Sequence, residues 1–112
     1  MNGGTYFSTH YSPDAGGPKG KAFVEAYKKR FGGKMPDAMA ALGYDSAMIL
    51  ADAIKRAGTT DGPKVRDALA QTKDYQGITG NITLDANRNA TKSAVILQVK
   101  GGQFKFVETV AP

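Results

Sequence analysis

The residues that could do chemistry are few. His10 is the only histidine and there is no cysteine. Multi-histidine metal sites, disulfides, thiolate nucleophiles and cysteine-ligated zinc are therefore excluded. Serines and aspartates are available to complete a triad with His10, but no serine lies on the strand-to-helix elbow that exposes a nucleophile. Asp85-x-Asn87-x-Asn89 has the opening spacing of a calcium loop. That loop needs glycine at its sixth position and an acid at its twelfth, where this sequence has Ala90 and Ile96; the run reads as a polar turn. Gly16-Gly17-Pro18-Lys19-Gly20 is glycine-rich but has neither the dinucleotide-binding spacing nor the Lys-Ser/Thr of a phosphate loop, and reads as a linker. Asn81-Ile82-Thr83 and Asn89-Ala90-Thr91 match a glycosylation acceptor pattern too short to carry weight. With no nucleophile–base pair and no ligand set, the expectation is a protein that is not an enzyme and that uses no metal and no cofactor.

Composition narrows the class. The chain has 112 residues, 41% hydrophobic and 22% charged, which suits a folded chain with one modest core. No apolar run approaches the roughly 18–20 residues that span a bilayer, and Met1-Asn2-Gly3-Gly4 does not begin a secretory leader. Lys and Arg total 15 against 10 acids, for a net charge of +5. The basic residues are spread out; the densest run, Lys28-Lys29-Arg30, closes a predicted helix, where cations complement the dipole. Aromatic residues are not interleaved with them as in a base-stacking surface, so nucleic acid is not the expected partner. A basic module for nucleic acid or acidic partners, which would show steep salt dependence, or a purely structural self-associating fragment, stands as the alternative.

The elements that must position these residues follow from periodicity. Residues 5–11, β-branched and aromatic, predict a short strand. A loop over 12–18 leads through Pro18 to a helix over 19–31, with Phe23, Tyr27 and Phe31 on one face as a core-facing seam and Gly32-Gly33 ending it. A second helix opens at Pro36 or Asp37 and runs to Ala57 before Gly58; it is rich in alanine and is expected to be the most buried element. Asp45 and Asp52 within it then need solvent or partners. Thr60 or Asp61 caps a third helix, with Pro63 in its first turn and Val65, Ala68 and Leu69 inward. Beyond Lys73 the period becomes two. Residues 80–84 predict a strand and 85–89 a turn. Residues 94–100 and 103–110 predict a hairpin about Gly101-Gly102 that sets Val99 opposite Phe104 and Leu97 opposite Phe106. The fold class is α/β, or α+β for the isolated piece: three helices and then a carboxy-terminal antiparallel hairpin, with a short amino-terminal strand. Residues 1–112 read as one partial domain, divided into a strand and crossover (1–11), a helical segment (18–72) and a hairpin segment (77–112).

Ala40-Ala41-Leu42-Gly43-Tyr44-Asp45-Ser46-Ala47, continuing through Leu50-Ala51-Asp52-Ala53-Ile54-Lys55-Arg56-Ala57-Gly58, resembles the periplasmic leucine/isoleucine/valine-binding proteins, receptors of branched-chain amino-acid ABC transporters. Flanking pieces agree in order: Gly4-Thr5-Tyr6-Phe7-Ser8-Thr9, Phe23-Val24-Glu25-Ala26-Tyr27, Val65-Arg66-Asp67-Ala68-Leu69-Ala70, Gly77-Ile78-Thr79-Gly80 and Leu84-Asp85-Ala86-Asn87-Arg88. The resemblance implies the carboxy-terminal third of a type I binding fold, whose two α/β lobes are joined by three crossovers and close on the ligand. It implies a periplasmic or extracytoplasmic parent whose partners are an amino acid and the transporter's membrane subunits. The groups that hold the ligand's carboxylate and ammonium are expected upstream of Met1. The one position matched to a ligand contact is Met39, where relatives often carry an aromatic ring; methionine is flexible and apolar and suits an aliphatic side chain.

A piece of such a fold exposes sheet edges and apolar faces. The expectation is therefore a chain without amino-acid affinity of its own that self-associates as a homo-oligomer, for instance by exchanging elements in a dimer.

Overall fold

The computed structural model describes residues 4–112 and contains three helices and six strands in two small sheets. The strands are β1 (Thr5–Thr9), β2 (Tyr75–Gly77), β3 (Gly80–Leu84), β4 (Ala90–Thr91), β5 (Ala94–Lys100) and β6 (Gln103–Val110). The helices α1 (Gly17–Arg30), α2 (Ala38–Ala57) and α3 (Gly62–Ala70) all lie between β1 and β2 in the chain. Among the described residues, no helix is long and apolar enough to cross a membrane.

Local chemistry sets the helix ends. The Asp37 carboxylate accepts from Ala40 N at 2.8 Å and caps α2, which Gly58 stops in a left-handed conformation at φ 72°. Asp61 caps α3 through Lys64 N, with Pro63 in its first turn. Helix α1 begins two residues earlier than its periodicity predicts, because Pro18 fits within the first turn. It ends where Gly33 N donates to Lys28 O at 2.8 Å, with Gly32 at φ 65°.

The first sheet has the order β1-β5-β6 and is antiparallel throughout. The hairpin register is the predicted one, with Leu97 opposite Phe106 and Val99 opposite Phe104. A bulge between Ile96 and Leu97 leaves Val107 without a cross-strand partner. Strand β1 stops at Thr9 rather than Tyr11 because Tyr11 turns into the helical core. The second sheet, β2-β3-β4, divides the predicted hairpin segment in two. Strands β2 and β4 have three and two residues, too short for a period-two signal. Asp85-x-Asn87-x-Asn89 is the turn between β3 and β4: one Asp85 carboxylate oxygen accepts from Asn87 N and Asn89 N, each at 2.8 Å, and Arg88 takes φ 67°.

Two sequence expectations need correction. Helix α2 buries one stripe, Ala41, Asp45, Ile49 and Ala53, at the i, i+4 spacing. Tyr44, Met48 and Leu50 on its other faces are each more than 40% exposed, because the described residues cover them only in part. The aromatic seam of α1 is core-facing only at its start. Phe23 packs on the core and on Tyr44 at 4.9 Å, whereas Phe31 is 52% exposed. The radius of gyration is 15.9 Å, above the roughly 13 Å of a compact domain this long.

The helices are tied to the second sheet through Asp45. Its carboxylate, 2% exposed, accepts from Ile78 N at 2.9 Å, Thr79 N at 2.8 Å and Thr79 Oγ1 at 2.6 Å. A Cβ on Gly77 would sit 2.6 Å from Asp45 Oδ2, so only glycine lets the β2–β3 turn approach. A second tie runs from Arg56, whose guanidinium donates to Asp52 Oδ2, Ala68 O and Thr72 Oγ1 and so joins α2 to the end of α3. Asp45→Ala strands two buried N–H donors and is expected to destabilise the fold by about 3 kcal/mol or more. Gly77→Ala is expected to act in the same direction by forcing the turn off the carboxylate. Urea unfolding followed by circular dichroism measures both, and an Asp45→Ala midpoint equal to that of the parent chain would contradict this role.

Candidate functional site

The first sheet and the helical body meet at a narrow waist made by two crossing segments. One follows β1: His10 leaves the sheet and Tyr11 enters the core cluster with Ala41 and Ile78, against Phe23 and Ala38. The other follows β4: Lys92 and Ser93 lead into β5. The two segments are bound together by Lys92, whose ammonium donates to His10 O at 2.9 Å and Ser93 O at 3.3 Å. Burial lowers the Lys92 pKa below its ordinary value, opposed by the Asp45 carboxylate. Burial raises the Tyr11 pKa, with Asp14 and Asp45 acting in the same direction. The Tyr11 hydroxyl is buried with no hydrogen-bond partner among the described residues.

Clefts open on both sides of this waist, and Tyr11 and Ser12 line both. The smaller, about 350 Å³, lies between the β2–β3 turn and the end of the first sheet and has a mixed lining, with His10, Gln76, Asn81, Ser93 and Thr109 beside Ala15, Ile78 and Val95. The larger, about 620 Å³, lies between one face of the first sheet and the α1–α2 connection. Phe7, Leu97 and Phe104 form its sheet wall, and Met35, Pro36 and Ala38 face them. The rings of Phe7 and Phe104 meet edge to face at 5.0 Å. Such a surface suits an apolar side chain. The two carboxylates at its rim are Asp14 and Asp37, and Asp37 is occupied in capping α2.

Met39, the one binding residue matched from sequence, stands in the first turn of α2 and is 73% exposed. It adjoins Ala38 on the rim of the larger cleft but does not line it. Sequence reasoning missed Tyr11, Lys92 and the Phe7–Phe104 pair. The hairpin register placed Phe104 on one face, but only the pairing of Phe7 with Leu97 brings β1 onto that face. His10 contributes its carbonyl rather than its ring to the waist. No group of three or more His, Cys, Asp or Glu residues among those described is placed to hold a metal ion.

Three helices beside two small antiparallel sheets match part of a type I periplasmic binding fold. Residues 2–103 match the periplasmic binding protein family. The chain belongs to that family. Among solved structures, a leucine-binding protein of Thermotoga maritima is 44% identical and covers 97% of this chain and 31% of its own, with a TM-score of 0.83. A branched-chain amino acid transporter substrate-binding protein of Streptococcus pneumoniae, in complex with isoleucine, is 35% identical over 96% of this chain and 30% of its own, with a TM-score of 0.81. A solute-binding protein of an ABC transporter from R. palustris, in complex with benzoate, shares the fold at a TM-score of 0.82 and 23% identity, over 97% of this chain and 30% of its own. This periplasmic binding protein chain thus spans about three-tenths of its relatives' length.

The waist yields a prediction. Lys92→Met keeps the packing of the side-chain stem and removes the ammonium that donates across the waist to His10 O. It is expected to cost about 1 kcal/mol and to loosen the two bodies relative to each other. The chain has no cysteine among its described residues, so spin labels at Lys55→Cys and Lys105→Cys report one distance. That distance distribution should broaden in Lys92→Met while the circular dichroism spectrum is kept; an unchanged distribution would remove Lys92 from this role.

Proposed function

We propose that this chain is part of an extracytoplasmic receptor for branched-chain or related amino acids that feeds an ABC transporter, with a binding and not a catalytic role. The observation that carries this is the 44% identity to a leucine-binding protein across 97% of the chain. The larger cleft supports it, because Phe7, Leu97, Phe104 and Met35 offer an apolar wall for an aliphatic side chain. In this reading Met39 contacts that side chain from the start of α2, and the charged ends of the amino acid are held by groups from outside these 112 residues. The chain alone then has no measurable amino-acid affinity. Calorimetry with leucine, isoleucine, valine and neutral polar amino acids is expected to give no heat of binding; micromolar binding would overturn the division of labour. A chimera carrying this chain in place of the matching segment of the Thermotoga maritima protein is expected to bind a branched-chain amino acid, and Met39→Ala in it to weaken binding on the order of tenfold. A folded chimera that binds none of these amino acids would remove the solute assignment.

We propose further that the isolated chain self-associates. All eight residues of β6 are exposed, with Phe104 at 65%, Val110 at 46% and Val107 at 42%. Its outer edge is an unpaired ladder. A second copy that adds its β6 there, or exchanges its hairpin, covers that surface. Light scattering at tens of micromolar concentration is expected to give at least a dimer mass; a stable monomer would contradict it.

A further inference from the structure

The connection from α1 to α2 is open to solvent, with residues 29–35 exposed without interruption. It carries Lys28, Lys29, Arg30 and Lys34 around two apolar side chains, Phe31 and Met35, each 52% exposed. None of the four cations is in a salt bridge: among the described residues the ion pairs are Arg56 with Asp52 and Arg66 with Asp67. The acids close in sequence are Glu25, which pairs with none of them, and Asp37, whose carboxylate faces Ala40 N. The turn has a defined shape. Phe31 N and Gly33 N close the helix on Tyr27 O and Lys28 O, Lys34 N donates to Phe31 O, and Gly32 and Gly33 take φ 65° and 86°. Phe31 rests on Tyr27 at 4.6 Å, so its ring is held at the tip rather than folded into the core.

The dipole of α1 accounts for cations in its last turn, but not for Lys34 beyond the helix or for the outward Phe31. We propose that this turn is a docking tip for an anionic phospholipid surface. An exposed tip presenting the Phe31 ring among four unpaired cations fits the headgroup layer, where charges meet lipid phosphates and the ring enters the interface. It is a poor fit for a folded acidic partner, which needs a shaped and larger apolar contact, and for single-stranded nucleic acid, which needs successive stacking rings. The assignment is independent of which solute the clefts take.

Co-sedimentation with phosphatidylcholine vesicles that contain phosphatidylglycerol tests it, with pure phosphatidylcholine vesicles and a vesicle-free spin as references. The 112-residue chain is expected to pellet with the anionic vesicles at low salt and to be released as salt rises. Each tip cation contributes roughly fivefold to partitioning, so Lys29→Gln with Arg30→Gln should lose on the order of 25-fold. Lys64→Gln with Lys73→Gln removes the same net charge elsewhere and should bind as the parent does. Phe31→Ser should weaken vesicle binding while circular dichroism shows the helices kept. The proposal fails if the parent chain stays in the supernatant with anionic vesicles, or if the Lys64/Lys73 variant loses as much as the tip variant. It also fails if Phe31→Ser binds vesicles like the parent, or if a polyglutamate peptide binds more tightly than the vesicles, since the site would then be a general polyanion contact.

Discussion

A buried carboxylate organises the helical body. Asp45 sits in the middle of the one stripe of α2 that is buried, and its two oxygens take three hydrogen bonds from Ile78 and Thr79. A carboxylate without donors at that depth would cost far more than folding a chain this small can offset. The β2–β3 turn must therefore lie against α2, and Gly77 must have no side chain there. Once the turn is placed, Ile78 falls against Tyr11 and Ala41 in the apolar cluster of the helical body. The polar clamp and the apolar cluster share Ile78, whose N–H donates to Asp45 while its side chain joins the cluster.

The first sheet is joined to that cluster through Tyr11, two residues beyond the end of β1. Its own order comes from cross-strand pairing around β5, and Val95 and Leu97 are its two buried apolar residues. This explains the extended outline, 51 × 33 × 19 Å: two bodies share a waist rather than a core. A chain that buries so little between its halves exposes its sheet edges and the outer faces of α2. That is the physical content of its spanning three-tenths of the relatives it matches.

How much of this could be read from sequence follows from the range of each interaction. The caps Asp37 and Asp61, the stops at Gly33 and Gly58, and the Gly101-Gly102 turn act over a few residues, and they appear at or within two residues of where the spacing puts them. That Asp45 and Asp52 would need partners was legible; that Asp45 finds them 33 and 34 residues away was not. The hydrogen bond from Lys92 to His10 spans 82 positions, and no local pattern marks a lysine after a two-residue strand as the tie across a waist. The aromatic seam misled for a related reason. Helical spacing shows that Phe23, Tyr27 and Phe31 share a face, but not how far along the helix a neighbour extends to cover it. For Met39, spacing fixed its place at the start of α2, while the width of the cleft beside it depends on where the sheet lies.

The position of that sheet is held by modest forces, and the site's behaviour follows from this. Tyr11 and Ser12 line both clefts, so a rotation about them that narrows one must widen the other. What resists such a rotation at the crossing segments is the Lys92 ammonium on two carbonyls. A half-exposed charged hydrogen bond is worth about 1 kcal/mol, less than about twice thermal energy. The helical body is held together by its clamp at Asp45 and its tie at Arg56, and the first sheet by its cross-strand pairing. Reorientation therefore concentrates in residues 10–12 and 92–93, in the manner of a hinge whose few element-terminal residues absorb the change. In the proposed receptor reading, a solute that contacts Phe7, Leu97 and Phe104 on one side and the start of α2 on the other would gain contacts when the larger cleft narrows. Its binding energy then selects the closed arrangement against a small opposing term.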